Sequence, residues 1–396
     1  MGARCTPVLL SQFYKQQPDL NWDNPSVEKA MFGAMRFWLD RGVAGFRLDA
    51  IPTLFEDGQL RDERELGGLN AQGDPNLADD YTNNLPQVHD VIRRMRAMID
   101  SYPGNRVLIG ETYLPDTAEM DKWYGGEAKN ELQLPMDMLV GLHGDRDKLD
   151  AKRFRNRIEE VETQVHGSQP LLVFDNHDNV RAIDRYGDGT HDPLINNLLT
   201  TILFTARATA LAYYGEEIGM HTTTPTRRED VKDPIGITGW PKEKGRDGER
   251  TPMQWTPGPQ AGFSTNPNTW LPISANYKTI NVETESHQPE SQLHWFESLT
   301  ALRRNTPALH DGTMTMLDTS NPDVLSYVRT TGSGASVVVT MNCTGEPKTI
   351  SLDLATAGVE RRTITTLATD APQLRTTHSV TSLTLPPYAS WIGSLK

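Results

Sequence analysis

Cysteine is nearly absent from this chain. Cys5 and Cys343 are its two cysteines in 396 residues. They lie too far apart to suggest a disulfide framework and form no metal-spaced motif, so a reducing, cytoplasmic setting is the expectation. No apolar run approaches the roughly 18 residues of a membrane span. The first ten residues hold Val8-Leu9-Leu10 but no apolar core long enough for a secretory leader. Positive charge is also short: 39 Lys and Arg stand against 52 Asp and Glu, a net charge of −13. That argues against nucleic acid and anionic membrane surfaces as partners. It fits a soluble protein acting on a neutral ligand. Internal repeats and low-complexity runs are lacking too.

What is present is ordinary globular material, with 37% hydrophobic and 23% charged residues. The length suggests about two or three domains. The organising stretch is Gly42-Val43-Ala44-Gly45-Phe46-Arg47-Leu48-Asp49-Ala50. A glycine stops a helix, a short apolar strand follows, and Arg47 and Asp49 fall on one face because side chains alternate. An arginine fixed beside a carboxylate keeps it ionised and aims it, as a nucleophile requires; it also serves as a purely structural ion pair.

Two later stretches favour chemistry. Arg106–Ile109 runs into Gly110-Glu111, and Leu171–Phe174 runs into Asp175-Asn176-His177-Asp178. Short continuous apolar runs bounded by polar residues read as strands buried on both faces of a parallel sheet. Each acid sits at or just past a strand's carboxyl end, and in a parallel β/α barrel those ends share the face that carries the active site. Three carboxyl groups around one cleft suit a retaining glycosidase: one attacks the anomeric carbon, another protonates the leaving oxygen. The third stabilises an oxocarbenium-like transition state. Spacing alone does not assign these roles among Asp49, Glu111 and Asp178.

Gly45–Ala50, Gly110-Glu111 and Phe174–Asp178 resemble three signature regions of the α-amylase family, glycoside hydrolase family 13. Gln17-Pro18-Asp19-Leu20-Asn21 and Arg250-Thr251-Pro252-Met253-Gln254-Trp255 are similar to marks of its oligo-1,6-glucosidase, α-glucosidase and trehalose synthase branch. The resemblance runs from about Gln12 to the C-terminus. It implies Asp49 as nucleophile, Glu111 as general acid/base and Asp178 as transition-state stabiliser. Arg47 would hold the nucleophile, His177 would bond sugar hydroxyls, and Arg181 matches an arginine bordering the cleft. In relatives a valine after the nucleophile goes with α-1,6 preference and a smaller residue with α-1,4, so Ala50 points to maltose-like substrates. No cofactor is implied. The early loop that binds calcium in some relatives has no counterpart, so no metal is expected.

The rest of the chain fits an α/β architecture. Ser26–Arg41 reads as a helix with Val27, Ala30, Met31, Ala34 and Trp38 on its apolar face. Pro52–Asn84 is a long polar loop. Leu85–Tyr102 is a helix with Val88, Val91, Ile92, Met95, Met98 and Ile99 inward. Leu132–Met138 is a further strand, with Asp137 near its end read as structural. Leu149–Val165 and Asn197–Arg207 are helices, and Ala208–Tyr214 is the last barrel strand. Gly219–Ser274 is too long for an ordinary connection, and its Trp240, Trp255 and Trp270 are expected to wall a cleft. Ser291–Asn305 closes the barrel. Beyond Pro307 short strands replace helices: Leu325–Arg329, Ala335–Met341, Lys348–Leu352, Arg362–Leu367 and Ser382–Leu385.

The expected plan has three parts. Residues 1–22 hold an unmatched start and the tail of an inserted domain. Residues 23–306 hold a partial (β/α)8 TIM barrel, about strands four to eight. Residues 307–396 form a small antiparallel β-sandwich. Five barrel strands are visible where closure needs eight, and the family's first signature region has no counterpart, so a truncated chain is expected. The function implied is a retaining α-glucosidase acting on short α-linked gluco-oligosaccharides. Trehalose synthase and transglucosidase share the same triad and stand as alternatives, as do an inactive fragment and a non-catalytic relative. The partner is a small oligosaccharide, and a homo-oligomer that pairs open sheet edges is allowed.

Overall fold

Asn24 and Pro25 begin the first helix as their chemistry dictates. The Asn24 side chain accepts from Ser26 N at 3.0 Å, and the proline takes the first turn, where its missing N–H costs nothing. The structure is a computed structural model that describes residues 9–70, 73–142, 148–165, 167–359, 363–376, 378–379 and 382–395. Cys5 and Arg362, the start of one expected strand, lie outside them. The chain divides into two compact units, Met1–Met136 and Asp137–Lys396.

In the first unit, helix α1 (Pro25–Leu39) leads to strand β1 (Gly45–Leu48). A hairpin of β2 (Glu65–Leu69) and β3 (Pro75–Leu77) lies within the stretch expected to be all loop. Helix α2 (Pro86–Asp100), strand β4 (Val107–Gly110), helix α3 (Thr117–Tyr124) and strand β5 (Leu134–Asp137) follow. Helix α2 buries the six apolar residues expected of it. Helix α1 does not bury the expected face. Phe32, Met35 and Leu39 point into the core, while Trp38 is 52% exposed and Met31 is exposed too. The helix is apolar on two sides, and periodicity cannot choose between them.

Strand β1 runs parallel to β4 in the register Gly45↔Val107 to Leu48↔Gly110. Gly45 is required there, because a Cβ on it would sit 2.0 Å from Val107 O. Strand β4 pairs in parallel with β5 through Ile109↔Leu134 and Gly110↔Pro135. Trp22, Phe32, Val91, Ile92, Leu108 and Trp123 belong to the core of this unit.

The second unit continues with α4 (Ala151–Gln164), β6 (Leu171–Val173), α5 (Ala182–Tyr186), α6 (Asp192–Thr205) and β7 (Thr209–Leu211). Strands β6 and β7 are parallel. The short helix α7 (Pro234–Gly239) interrupts the long loop, and α8 (Val282–Ser286), α9 (Gln292–Asn305) and α10 (Pro307–Asp311) follow it. The remaining strands are β8 (Thr313–Leu317), β9 (Val324–Thr330), β10 (Ser336–Asn342), β11 (Lys348–Ile350), β12 (Thr363–Thr369), β13 (His378–Ser379), β14 (Leu383–Leu385) and β15 (Ser390–Leu395). Six of them form a sheet in the order β13-β12-β15-β10-β9-β8, and β11 pairs with β14. Strands β8, β13 and β15 fall outside the five segments that the sequence marks as C-terminal strands.

The central strands β9 and β10 of this sheet are buried on both faces. Leu325, Tyr327, Val337 and Val339 pack with helix residues such as Phe154, Leu199 and Trp295. Their chain neighbours Val324, Val328 and Val338 face Leu383, Leu385 and Trp391 in a second cluster. Alternation thus separates two apolar cores instead of a core and a wet face. The terminal strands and the helices from α4 onward are parts of one compact unit.

Candidate active site

The β1–β4 register decides where two of the three acids sit. Leu48 pairs with Gly110, so Asp49 and Glu111 each follow the last paired residue of neighbouring parallel strands. The ladder continues past them, with Glu111 N donating to Leu48 O at 3.0 Å. Arg47 bridges the two acids: one guanidinium nitrogen pairs with Asp49 Oδ1, the other with Glu111 Oε1 at 2.7 Å. Ala50 N donates to Glu111 Oε2 at 2.9 Å. Asp49 is the open member, with 81% of its side chain exposed, while Glu111 is buried.

Ala50 carries strain. Its backbone is left-handed, with φ 40° and ψ 39°, at the start of a 3-10 turn. A residue with a Cβ reaches that region at a cost of about 1–2 kcal/mol, and such strain gathers at functional sites. The turn swings the chain away directly after Asp49 and aims the Ala50 N–H at Glu111.

The second unit holds the third acid. Asn176 Oδ1 accepts from Asp178 N and Asn179 N, each at 2.9 Å, which folds the chain after β6 into a tight polar turn. Two arginines converge on Asp178 Oδ1: Arg246 Nη1 at 2.7 Å and Arg250 Nη2 at 2.8 Å. His177 Nε2 lies 3.4 Å from the other oxygen, Oδ2. Arg250 Nε also donates to His177 O at 2.7 Å. Arg246 is braced by the buried carboxylate of Asp233 through Nε at 2.8 Å and Nη2 at 3.1 Å, which holds the guanidinium more firmly in its charged form. The structure therefore brings Asp49, Glu111, Arg47 and Ala50 together in the first unit. It groups Asp178 and His177 with two arginines in the second.

Arg181 is placed otherwise than expected. It is fully buried, and its guanidinium donates to Tyr214 O at 2.9 Å and Glu249 O at 3.1 Å. It braces the wall formed by two chain segments instead of bordering open space. Asp137 is buried too, accepts from Leu139 N at 3.0 Å, and has its carboxyl pushed up to about 6 by burial.

Reading from sequence alone missed Arg246 and Asp233 and gave Arg250 no role of its own. Arg250 opens a recognisable motif and could have been singled out. Nothing local marks Arg246 among 39 basic residues. Its aim is set by Asp233, thirteen positions earlier and buried, and by the loop that returns to it.

Two family profiles match the chain. One, described as "Alpha amylase, catalytic domain", covers residues 5–312, and "Maltogenic Amylase, C-terminal domain" covers residues 314–392. Maltase 1 of Drosophila virilis is 36% identical over 320 residues, 77% of this chain and 49% of its own length. The salivary alpha-glucosidase of Aedes aegypti is 35% identical over 358 residues, 87% of this chain and 60% of its own. The oligo-1,6-glucosidase of Parageobacillus thermoglucosidasius is 32% identical over 363 residues, 84% of this chain and 62% of its own. Among solved structures, the alpha-glucosyl transfer enzyme XgtA aligns with a TM-score of 0.81 and 31% identity over 98% of this chain and 70% of that one. The trehalulose synthase MutB from Pseudomonas mesoacidophila aligns with a TM-score of 0.83 and 27% identity over 98% of this chain and 71% of that one. The chain spans 49% to 62% of the length of the three sequence relatives.

Proposed function

The chain belongs to the alpha-amylase family, and from that premise we propose that it is a retaining α-glucosidase acting on short α-linked gluco-oligosaccharides. One observation carries the reading: Arg47 touches two acids that stand side by side at the ends of parallel strands. Asp49, exposed and paired with a guanidinium, attacks the anomeric carbon and forms a glucosyl-enzyme ester. Glu111 protonates the departing oxygen and then takes a proton from the water that cleaves the ester. Asp178 bonds the sugar and offsets positive charge in the transition state, with His177 beside it on a hydroxyl. Arg246 and Arg250 hold Oδ1 of Asp178 and leave Oδ2 for the substrate. Ala50 favours α-1,4 links.

Activity on p-nitrophenyl α-glucoside and maltose tests the reading, with Asp49→Ala measured beside the unaltered chain. Turnover that disappears in the variant is expected. Turnover that survives it, or none in either protein, overturns the reading for this chain. The XgtA and MutB alignments favour a second outcome, transfer of the glucosyl group to another sugar or its isomerisation. Products from maltose separate the cases: glucose alone for hydrolysis, trehalose for isomerisation, longer sugars for transfer. The same reading keeps a cytoplasmic location, supported by the free, buried thiol of Cys343, and allows a homo-oligomer. No described helix is long and apolar enough to cross a membrane.

A further inference from the structure

A groove of about 560 Å3 runs between helix α9 and strand β12 in the second unit. It is separate from the cleft that Trp255 and Trp270 line with Arg250. One wall is a single face of α9, from its N-cap Ser291 through His294, Ser298 and Ala301 to Asn305. Ser298 and Ala301 are small, so the hollow opens where the helix carries least bulk. The other wall is residues 366–370, five in a row. A regular strand would turn alternate residues away. Here the pairing with β15 skips Leu367, since Thr366 faces Gly393 and Ala368 faces Ile392. Such a bulge re-aims side chains, and it brings the whole run to the groove.

The groups along it are fixed in place and only partly satisfied. Asp370 Oδ1 accepts from Ser390 N at 2.8 Å, but Oδ2 is buried with no hydrogen-bond partner among the described residues. Burial pushes this carboxyl up to about 7, and a donor at Oδ2 would offset that cost. Ser291 Oγ donates its one proton to Glu285 O at 2.9 Å, so His294 Nδ1, 3.0 Å from the same oxygen, carries a proton. The neutral ring then offers Nε2 as an acceptor. Arg375 Nη2 and Glu290 Oε1 lie 3.4 Å apart, both exposed, and such a pair is weak enough to exchange for a ligand. Trp295 Nε1 is anchored on Asn197 O at 3.1 Å, and Thr366 Oγ1 accepts from Trp391 Nε1 at 3.0 Å, so both walls are braced.

This set selects the occupant. Acceptors for hydroxyls and one donor–acceptor pair alternate with the apolar side chains of Trp295, Leu302 and Leu367, in a space of small-ligand size. Arg375 balances Glu290, and burial favours the neutral form of Asp370, so the ligand is uncharged. Among the described residues no group of three or more His, Cys, Asp and Glu could hold a metal ion. We propose that the groove between α9 and β12 binds a free hexose, with ring hydroxyls on Asp370, His294 and the Arg375–Glu290 pair and C–H groups on the apolar side chains. The proposal does not rest on the glucosidase reading, which concerns other residues.

Equilibrium dialysis of the full chain with radiolabelled glucose counts the sites. Ser298→Trp fills the groove from an exposed position, and this variant should bind one glucose fewer per chain than the unaltered protein. Ser298→Ala keeps the groove open and should bind the full number. Asp370→Asn keeps the acceptor for Ser390 N and puts a donor in place of Oδ2, so affinity at this site should fall at least about tenfold. Without sugar the unaltered and Ser298→Trp chains should melt together, and glucose should raise the unaltered chain's melting temperature more. Equal glucose counts in the two chains, or no binding by either, overturn the proposal. If Ser298→Trp loses a site while the Asp49→Ala comparison fails, the groove stands and the glucosidase reading falls. If the counts are equal while that comparison succeeds, the groove falls and the reading stands.

Discussion

At the scale of single residues, the half-buried His221 and the buried Glu285 in the second unit tie stability to pH in the same direction. His221 Nδ1 lies 2.6 Å from Asp184 Oδ1, and that hydrogen bond raises the imidazole above its ordinary value near 6.5, against the opposing effect of burial. Its contribution is present in full below pH 6.5 and is lost as the pH rises through the higher folded value. Glu285 is pushed up to about 7, first by burial, despite the Leu293 N–H donating to Oε2 at 3.1 Å, with the charge of Glu217 adding to the rise. A raised carboxyl likewise stabilises fully below its unfolded value and loses that contribution by about pH 7. Glu285→Gln is therefore expected to raise the melting temperature at pH 8 and leave it nearly unchanged at pH 4. His221→Gln should lower it at pH 6 and have little effect at pH 9. Melting curves across pH check both, and a Glu285→Gln effect independent of pH would contradict the assignment.

At the scale of elements, arginines fasten the terminal strands to the helices. Arg155 on α4 is buried and donates to Thr319 O at 3.0 Å, Asn321 O at 2.7 Å and Val324 O at 2.8 Å. Arg329 on β9 does the converse, reaching Thr205 O at the end of α6 at 2.8 Å. A buried carbonyl left without a partner costs about 1–3 kcal/mol. Arg155→Ala should thus destabilise the chain by several kcal/mol in urea titration, far more than an exposed arginine such as Arg64→Ala. A loss under about 1 kcal/mol would mean that water replaces the guanidinium at these carbonyls. The elements themselves were largely legible. Capping residues marked α1, strict periodicity marked the inward face of α2, and continuous apolar runs marked β4 and β6. Which side of α1 faces inward was not legible, because both sides are apolar. The β2–β3 hairpin was hidden by its two glycines and its exposed residues.

For the whole molecule, exposed apolar surface is the main feature with a consequence in solution. Helix α1 presents Met31, Phe37 and Trp38 to solvent in the first unit. Among the described residues, β1 pairs with β4 and has no strand on its other edge. Open edges and apolar patches promote association. Sedimentation of the chain is expected to show association that grows with concentration. Phe37→Lys with Trp38→Lys should reduce it without lowering the melting temperature, since Phe32, Met35 and Leu39 carry the core contacts. A monomer at all concentrations would contradict this, and so would association unaffected by the double substitution.

The sequence by itself determined the chemistry on offer: two acids directly after apolar strands and a third in the polar turn that follows another, an arginine two positions before one of them, and a motif order that names the family. Those signals are local, and a strand end or an i, i+2 pair can be read without knowing what lies across from it. Tertiary structure alone decided which groups meet. The parallel register put Glu111 beside Asp49 under one guanidinium, a loop returning from Asp233 brought Arg246 to Asp178, and Arg181 turned inward to brace carbonyls instead of a substrate. These pairings join residues 13 to 68 positions apart. They are set by how strands align and loops return, and no local pattern of residue types encodes that.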